Sequence, residues 1–195
     1  MKFCPECGEE LSKYMGGTTV SSDFDFAALE QEANKQLMAQ SGLEMEGSVL
    51  VKYTGKSRDV VIPKGVTEIY DGAFENNTIV ASVQIPEGVK VIGRRAFYGC
   101  AYLKTVTRPS TLEEVYNEAF MGCSELKEIT IPQTITQGRA SVFQGCRGLK
   151  RITIPNSVTA IGKSAFYGWN SDQTIYIPAN LRYLVNGANA KIVTY

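Results

Sequence analysis

The sequence predicts a mainly β solenoid of stacked 23-residue repeats, capped at its N-terminal end by an amphipathic helix. Three observations lead there. Phe74, Phe97, Phe120, Phe143 and Phe166 stand 23 residues apart. Pro63, Pro86, Pro109, Pro132, Pro155 and Pro178 keep the same interval. Apolar residues alternate just ahead of each proline, as Ile129 and Ile131 do in LKEITIP (126–132). A fixed period between about 20 and 50 residues marks stacked repeats, in which each unit buries its apolar side against the next.

In chain order, residues 1–19 form a tail and linker, 20–46 the capping segment and 47–195 the solenoid. The tail opens with FCPECGEEL, whose Cys4 and Cys7 supply two of the four ligands a structural zinc needs. The second CxxC of a ribbon is missing, and the chain has no histidine. Three readings stay open: two chains sharing one Zn²⁺ as a homodimer, a redox CxxC pair, or a tail without metal. The stretch SKYMGGTTV reads as a linker centred on Gly16 and Gly17. SSDFDFAALEQEANKQLMAQSG then reads as one helix, capped by Asp23 or Asp25 and followed by Gly42. Phe26, Leu29, Ala33 and Leu37 share one face, which is expected to cover the open end of the first turn near Val49 and Val51. The alternative is a docking helix for a partner.

The solenoid starts with a partial unit, GSVLVKYTGKSRDVV, runs through five full units and ends on a shortened one, IPANLRYLVNGANAKIVTY. KIVTY (191–195) reads as the closing strand. Within LKEITIP the spacing is L-x-x-L-x-L, so Ile129 and Ile131 face one side of a strand and Glu128 and Thr130 the other. Proline ends the strand because it has no N–H for the ladder. V-x-x-I and A-F carry the chain back, with no stretch long enough for a regular helix. Turns and short 3₁₀ pieces are therefore expected there. At a pitch of roughly 4.8 Å, equivalent residues form columns, and the phenylalanines become an internal stack of rings.

Cys100, Cys123 and Cys146 form another column, continued by Trp169 and preceded by Asn77. The exchange of thiol for indole or amide argues for packing over reactivity. So does the lack of a regularly placed cation to lower a thiol pKa.

Composition removes several functions. Lys+Arg and Asp+Glu are both 20, which argues against a dedicated nucleic-acid binder. Without histidine there is no Ser-His-Asp or Cys-His machinery and no HExxH zinc site. No apolar run is long enough for a membrane span, and MKFCPECGEEL lacks the apolar stretch of a signal peptide. A cytoplasmic setting with reduced thiols is expected. There is no phosphate loop and no G-x-S-x-G, and the adjacent Glu113 and Glu114 would face opposite ways on a strand. A non-enzymatic protein is expected.

Three outward columns flank the strands. One is Asp59, Ser82, Thr105, Glu128, Arg151 and Thr174. The second is Val61, Gln84, Thr107, Thr130, Thr153 and Tyr176. The third is Arg58, Ala81, Lys104, Lys127, Lys150 and Gln173. Either this is a solvated β-surface, or it is a mildly basic, Thr-lined groove for an acidic protein segment or a glycan. The candidate binding residues are Lys104, Lys127, Lys150, Thr107, Thr130, Thr153, Glu128, Arg151 and Tyr176. Two units break the pattern. Arg108 stands where the others have Ile, and Gly138 replaces the residue found as Ile92, Val115 and Ile161, so that turn should be loose.

The unit I-P-x-x-V-x-x-I-G-x-x-A-F-x-G-C-x-x-L-x-x-I resembles the BspA-like, or Treponema pallidum-type, leucine-rich repeat over about residues 47–195. The resemblance implies a right-handed, curved solenoid that binds a protein, or a glycan, on its strand-lined concave face. Many relatives are cell-surface adhesion proteins. FCPECGEEL in turn resembles the first knuckle of a bacterial zinc ribbon, which implies Zn as the candidate ligand of Cys4 and Cys7.

Overall fold

The structure is a computed structural model and describes residues 41–107 and 109–195. Cys4 and Cys7, the linker, the expected helix up to residue 40 and Arg108 lie outside the described residues.

The described chain opens with a hairpin of β1 (Leu43–Glu46) and β2 (Val49–Tyr53), antiparallel and turning at Gly47, whose φ is +59°. Residues 43–46, which the sequence pattern groups with the capping segment, are thus a strand paired with β2. Each following turn of the solenoid returns the same parts. On the side ahead of the prolines lie β3 (Asp59–Val61), β5 (Ser82–Gln84), β7 (Thr105–Thr107), β10 (Arg151–Thr153) and β12 (Thr174–Ile177). β3, β5 and β7 pair in parallel with a 23-residue register, Asp59 to Ser82 to Thr105. β10 pairs with β12 in the same way, and β12 with β13 (Lys191–Thr194), the expected closing strand. A 3₁₀ helix, Ala179–Val185, replaces the return side of the last unit.

The full units' return side differs from the expectation of turns alone. The V-x-x-I segments form a second parallel ladder from β4 (Glu68–Ile69), β6 (Val91–Ile92) and β8 (Glu114–Val115), with β2 and β1 at its edge. It resumes as β9 (Gln137–Gly138) and β11 (Ala160–Ile161). The physical reason is that stacking at a common pitch aligns every extended pair of residues, so even two residues find ladder partners one turn away.

Inside, the rings of Phe74, Phe97, Phe120, Phe143 and Phe166 stack as the period requires. Truncating one fully buried ring to Ala would cost about 3–5 kcal/mol. Tyr53 extends the column, 5.1 Å from Phe74, although it stands 21 residues away rather than 23. Trp169 closes the other end, edge-on to Phe166 at 5.0 Å. Beyond the second ladder each full unit turns through two left-handed residues. The first column is Gly72, Arg95, Glu118, Ser141 and Ser164; the second is Asn76, Gly99, Gly122, Gly145 and Gly168. In the second column the chain passes close to its neighbour: a Cβ on Gly99 would lie 2.3 Å from Asn76 Oδ1. In the first, Arg95 is held in place by its Nε on Glu118 Oε2 at 2.6 Å.

The stack is not uniform. Ring spacing is 4.9 and 5.2 Å over Phe74, Phe97 and Phe120, then opens to 6.1 and 6.2 Å through Phe143 to Phe166. Both ladders break at that place. Beyond β7 the first ladder continues only as a single bridge, Thr105 to Glu128, before it restarts at β10. The second stops at β8 and restarts at β9. The corners still hold, with the Phe120 N–H donating to Val142 O at 3.1 Å. Ile129 and Ile131 face inward as expected but are only partly buried. A cavity of about 60 Å³ lies there, lined by Val106, Leu112, Ile131, Gly138 and Phe143 among others. The loose turn read from Gly138 is present. It arises because glycine withdraws the side chain that Ile69, Ile92 and Ile161 insert in their own turns.

Candidate functional site

The outward columns are where period-2 alternation puts them. Thr107, Thr153, Glu128, Arg151, Lys127, Thr130 and Lys150 are exposed, and Tyr176 is 36% exposed. The ladders fix their spacing, with Arg151 beside Thr174 and Thr153 beside Tyr176. Lys104 is half-buried, and its Nζ lies 3.6 Å from Glu125 Oε2 in a solvent-exposed ion pair that contributes little. Glu87, Thr107, Ser110, Glu128 and Thr130 line a polar groove of about 420 Å³ beside the ladder break. The Ser110 N–H and hydroxyl both donate to the Glu87 carboxylate, at 3.0 Å for the closest contacts, and hold its pKa below the ordinary value. The surface is thus mixed in charge: basic at Lys127, Lys150 and Arg151, acidic at Glu87 and Glu128.

Gln173 does not belong to the outward column. It is 1% exposed, and its Nε2 donates to Cys146 O at 3.0 Å and to Leu149 O at 2.7 Å. A long amide reaches the carbonyls that the preceding corner leaves open, and once inside it stays because both bonds are made. Glu113 and Glu114 do turn apart: one pairs with Lys90 in the turn before, the other with Arg139 in the turn after.

The cysteine column carries no reactive chemistry. Cys100, Cys123 and Cys146 are buried free thiols. Each thiol donates to the carbonyl of the phenylalanine 26 residues back: Cys100 to Phe74 O (2.9 Å), Cys123 to Phe97 O (3.1 Å) and Cys146 to Phe120 O (3.1 Å). Trp169 Nε1 does the same to Phe143 O at 2.9 Å. The column is therefore a line of hydrogen-bond donors as well as packing. Donor capacity is what thiol and indole share, a signal present in the residue types but not in their hydropathy. Burial pushes Cys100 and Cys146 up to about 12 and Cys123 well above its ordinary value. Among the described residues no group of three or more His, Cys, Asp or Glu could hold a metal ion, and no helix is long and apolar enough to cross a membrane.

One constellation is not legible in the repeat pattern. The Arg139 guanidinium carbon lies 5.2 Å from the centroid of the Tyr116 ring, and Nη2 is 3.4 Å from Glu114 Oε2. Glu114 in turn raises the Tyr116 phenol above its ordinary pKa. Arg95 makes a similar stack on Tyr98 at 4.7 Å. Arg139 and Tyr116 share a column, but the Arg139–Glu114 and Arg95–Tyr98 contacts join unlike positions of the repeat, which no single column shows.

A family model described as the BspA type leucine rich repeat region matches six copies over residues 47–173. Among solved structures, the leucine-rich repeat protein of T. pallidum is 31% identical, with a TM-score of 0.64 over 68% of this chain and 64% of that one. A leucine-rich cell surface protein of Faecalibacterium prausnitzii is 30% identical, with a TM-score of 0.56 over 77% of this chain and 50% of that one. The pneumococcal vaccine antigen PcpA, 21% identical, shares the fold with a TM-score of 0.61 over 78% of this chain and 45% of its own. This chain thus spans from just under half to just under two thirds of these three proteins. No curated protein matches it.

Proposed function

The chain belongs to the BspA-type leucine-rich repeat family, and on that premise we propose that it is a non-enzymatic scaffold holding a protein partner on the exposed strand columns of its first ladder. The observation that carries this reading is the in-register exposure of Arg151, Thr153 and Tyr176, with Lys150 exposed next to Arg151 and Lys127, Glu128 and Thr130 exposed in the turn before. Repeats deliver side chains at a fixed pitch over a length no single loop could span, and an extended acidic segment would meet Lys127, Lys150 and Arg151 in succession. A glycan would use the same threonine hydroxyls and the Tyr176 ring. Zinc-mediated pairing through Cys4 and Cys7 is a separate proposal, supported only by the CxxC spacing.

The test is quantitative capture of partners by the full chain and by Lys127→Glu/Lys150→Glu, with Lys163→Glu, exposed on a corner, as the control. Loss of the same protein from the double variant and its retention by the control is expected. Equal recovery from all three would reject the basic strand face as the binding surface.

A further inference from the structure

The corners of the solenoid are hydrogen-bonded to one another in one direction. In each of the first four full units, three alternate N–H groups donate to carbonyls of the next turn, 22 residues on. Gly72, Phe74 and Asn76 donate to Arg94, Ala96 and Tyr98, and the fourth corner repeats this with Ser141, Phe143 and Gly145 donating to Lys163, Ala165 and Tyr167 at 3.0–3.1 Å. The fifth corner keeps the same backbone, with φ of +60° at Ser164 and +83° at Gly168 against +56° at Ser141 and +73° at Gly145. Its three donors, the N–H groups of Ser164, Phe166 and Gly168, find no acceptor among the described residues. The same step of 22 leads to Asn186, Ala188 and Ala190. There the 3₁₀ helix has replaced the repeat, and the Asn186 and Ala188 N–H groups turn back on Tyr183 O and Val185 O.

A cavity of about 360 Å³ lies between this edge and the last unit, lined by Gly162, Lys163, Ser164, Phe166, Val185 and Ala188 among others. No carboxylate lines it, and Lys163 is exposed. Phe166 is 7% exposed, so its N–H is an unpaired donor on an otherwise buried residue. Donors two residues apart that face one way do not converge on a single ion. They match alternate carbonyls of another main chain, which is what they meet in each of the four preceding corners. A second copy of the chain does not supply those carbonyls from its first corner. The equivalent groups there belong to Asp71, Ala73 and Glu75, and Ala73 O already accepts the Tyr53 N–H at 2.8 Å.

We propose that this edge binds a peptide segment of a partner protein as one further corner. Three alternate carbonyls of the segment accept from the Ser164, Phe166 and Gly168 N–H groups, and an acidic side chain stands beside Lys163. The donors are already held in the conformation that the internal corners use, so little of the ordering cost falls on this side. The edge lies on the corner side of the last full unit, apart from the strand columns proposed above, and stands or falls independently of them.

The experiment reads the backbone amide signals of the full chain by NMR. In the free protein the Ser164, Phe166 and Gly168 amides should exchange with solvent faster than those of Ser141, Phe143 and Gly145, by about tenfold or more. The probe is an acetylated, amidated peptide copying residues 70–77, YDGAFENN, whose aspartate falls at the place of Lys163 in the repeat. Its titration should shift the three amide signals saturably and slow their exchange. The mirror-image peptide should bind about fivefold more weakly or less well still, since its carbonyls follow the wrong hand. Asp71→Ala in the peptide should weaken binding about two- to fivefold, the range of an exposed ion pair. In the protein, Ala188→Trp should weaken it by filling the cavity, while Tyr183→Ala, exposed and outside the lining, should leave it unchanged. Equal protection of the two sets of amides in the free protein would overturn the proposal. So would the absence of a saturable shift, equal binding of the mirror-image peptide, or the same shifts with sodium acetate alone.

Discussion

Replacing Gly138 by valine should stabilise the protein, because the structure supplies both the room and the backbone for a side chain there. The position is Ile69, Ile92, Val115 and Ile161 in the other full units. A Cβ on Gly138 would meet Ala160 O at 3.5 Å and Ile161 Cα and Cγ1 at 3.6 Å, all ordinary contacts. Two contributions add. Filling the 60 Å³ cavity recovers about 1.4 kcal/mol at about 24 cal/mol per Å³. Removing a glycine from an extended segment adds about 0.4–1 kcal/mol through the unfolded chain. The total is about 2 kcal/mol, which at a slope of about 2 kcal/mol/M raises the urea midpoint by roughly 1 M. Equilibrium urea unfolding at constant slope is the measurement. Gly138→Ala should recover only the backbone part and a fraction of the cavity. Gly162→Ala is the opposing control, since its Cβ would fall 2.4 Å from Ala140 N, and it should destabilise. If Gly138→Val leaves the midpoint unchanged or lowers it as Gly162→Ala does, the missing side chain is not the cause of the cavity and of the break in the ladders.

Three other outcomes follow from the donor column. Trp169→Phe keeps a ring but removes the N–H that satisfies Phe143 O, and should cost about 1–3 kcal/mol in chemical denaturation. Cys123→Ser, which keeps a donor, should be milder than Cys123→Val, which keeps the bulk and strands Phe97 O. The thiols also set an alkaline limit. Their folded pKa values lie above the ordinary 9.0, about 12 for Cys100 and Cys146, so the folded state retains protons that the unfolded state releases. The resulting stabilisation is complete below about pH 9 and is lost as pH rises from there toward 12, by roughly 1.4 kcal/mol per pH unit for each thiol. Thermal melts between pH 8 and 11 should show that decline, and Cys100→Val/Cys123→Val/Cys146→Val should flatten it. In the native protein at pH 8 a thiol reagent should label none of the three until urea is added.

The sequence by itself determined the repeat, and with it most of the architecture. A strict 23-residue interval admits one arrangement that buries Phe74 through Phe166 together, so the ring stack, the inward strand residues and the exposed threonines were legible without coordinates. It also identified Gly138 as the weak turn, since a missing side chain in a column is visible as a missing letter. What the tertiary structure alone decided are contacts that cross from one column to another. Tyr53 joins the stack from a unit of different length. Cys146 and Trp169 act as donors because the carbonyl 26 residues back falls within reach, a distance the interval of 23 does not announce. Gln173 turns inward for the same reason, although its column elsewhere faces solvent. The second ladder arises from two-residue segments too short to carry a strand signal, and Arg139 pairs with Glu114, a residue of a different column, across the break between β8 and β9. Periodicity specifies which residues are equivalent; side-chain length and hydrogen-bond geometry specify which unlike residues meet, and those are settled only when the turns are stacked.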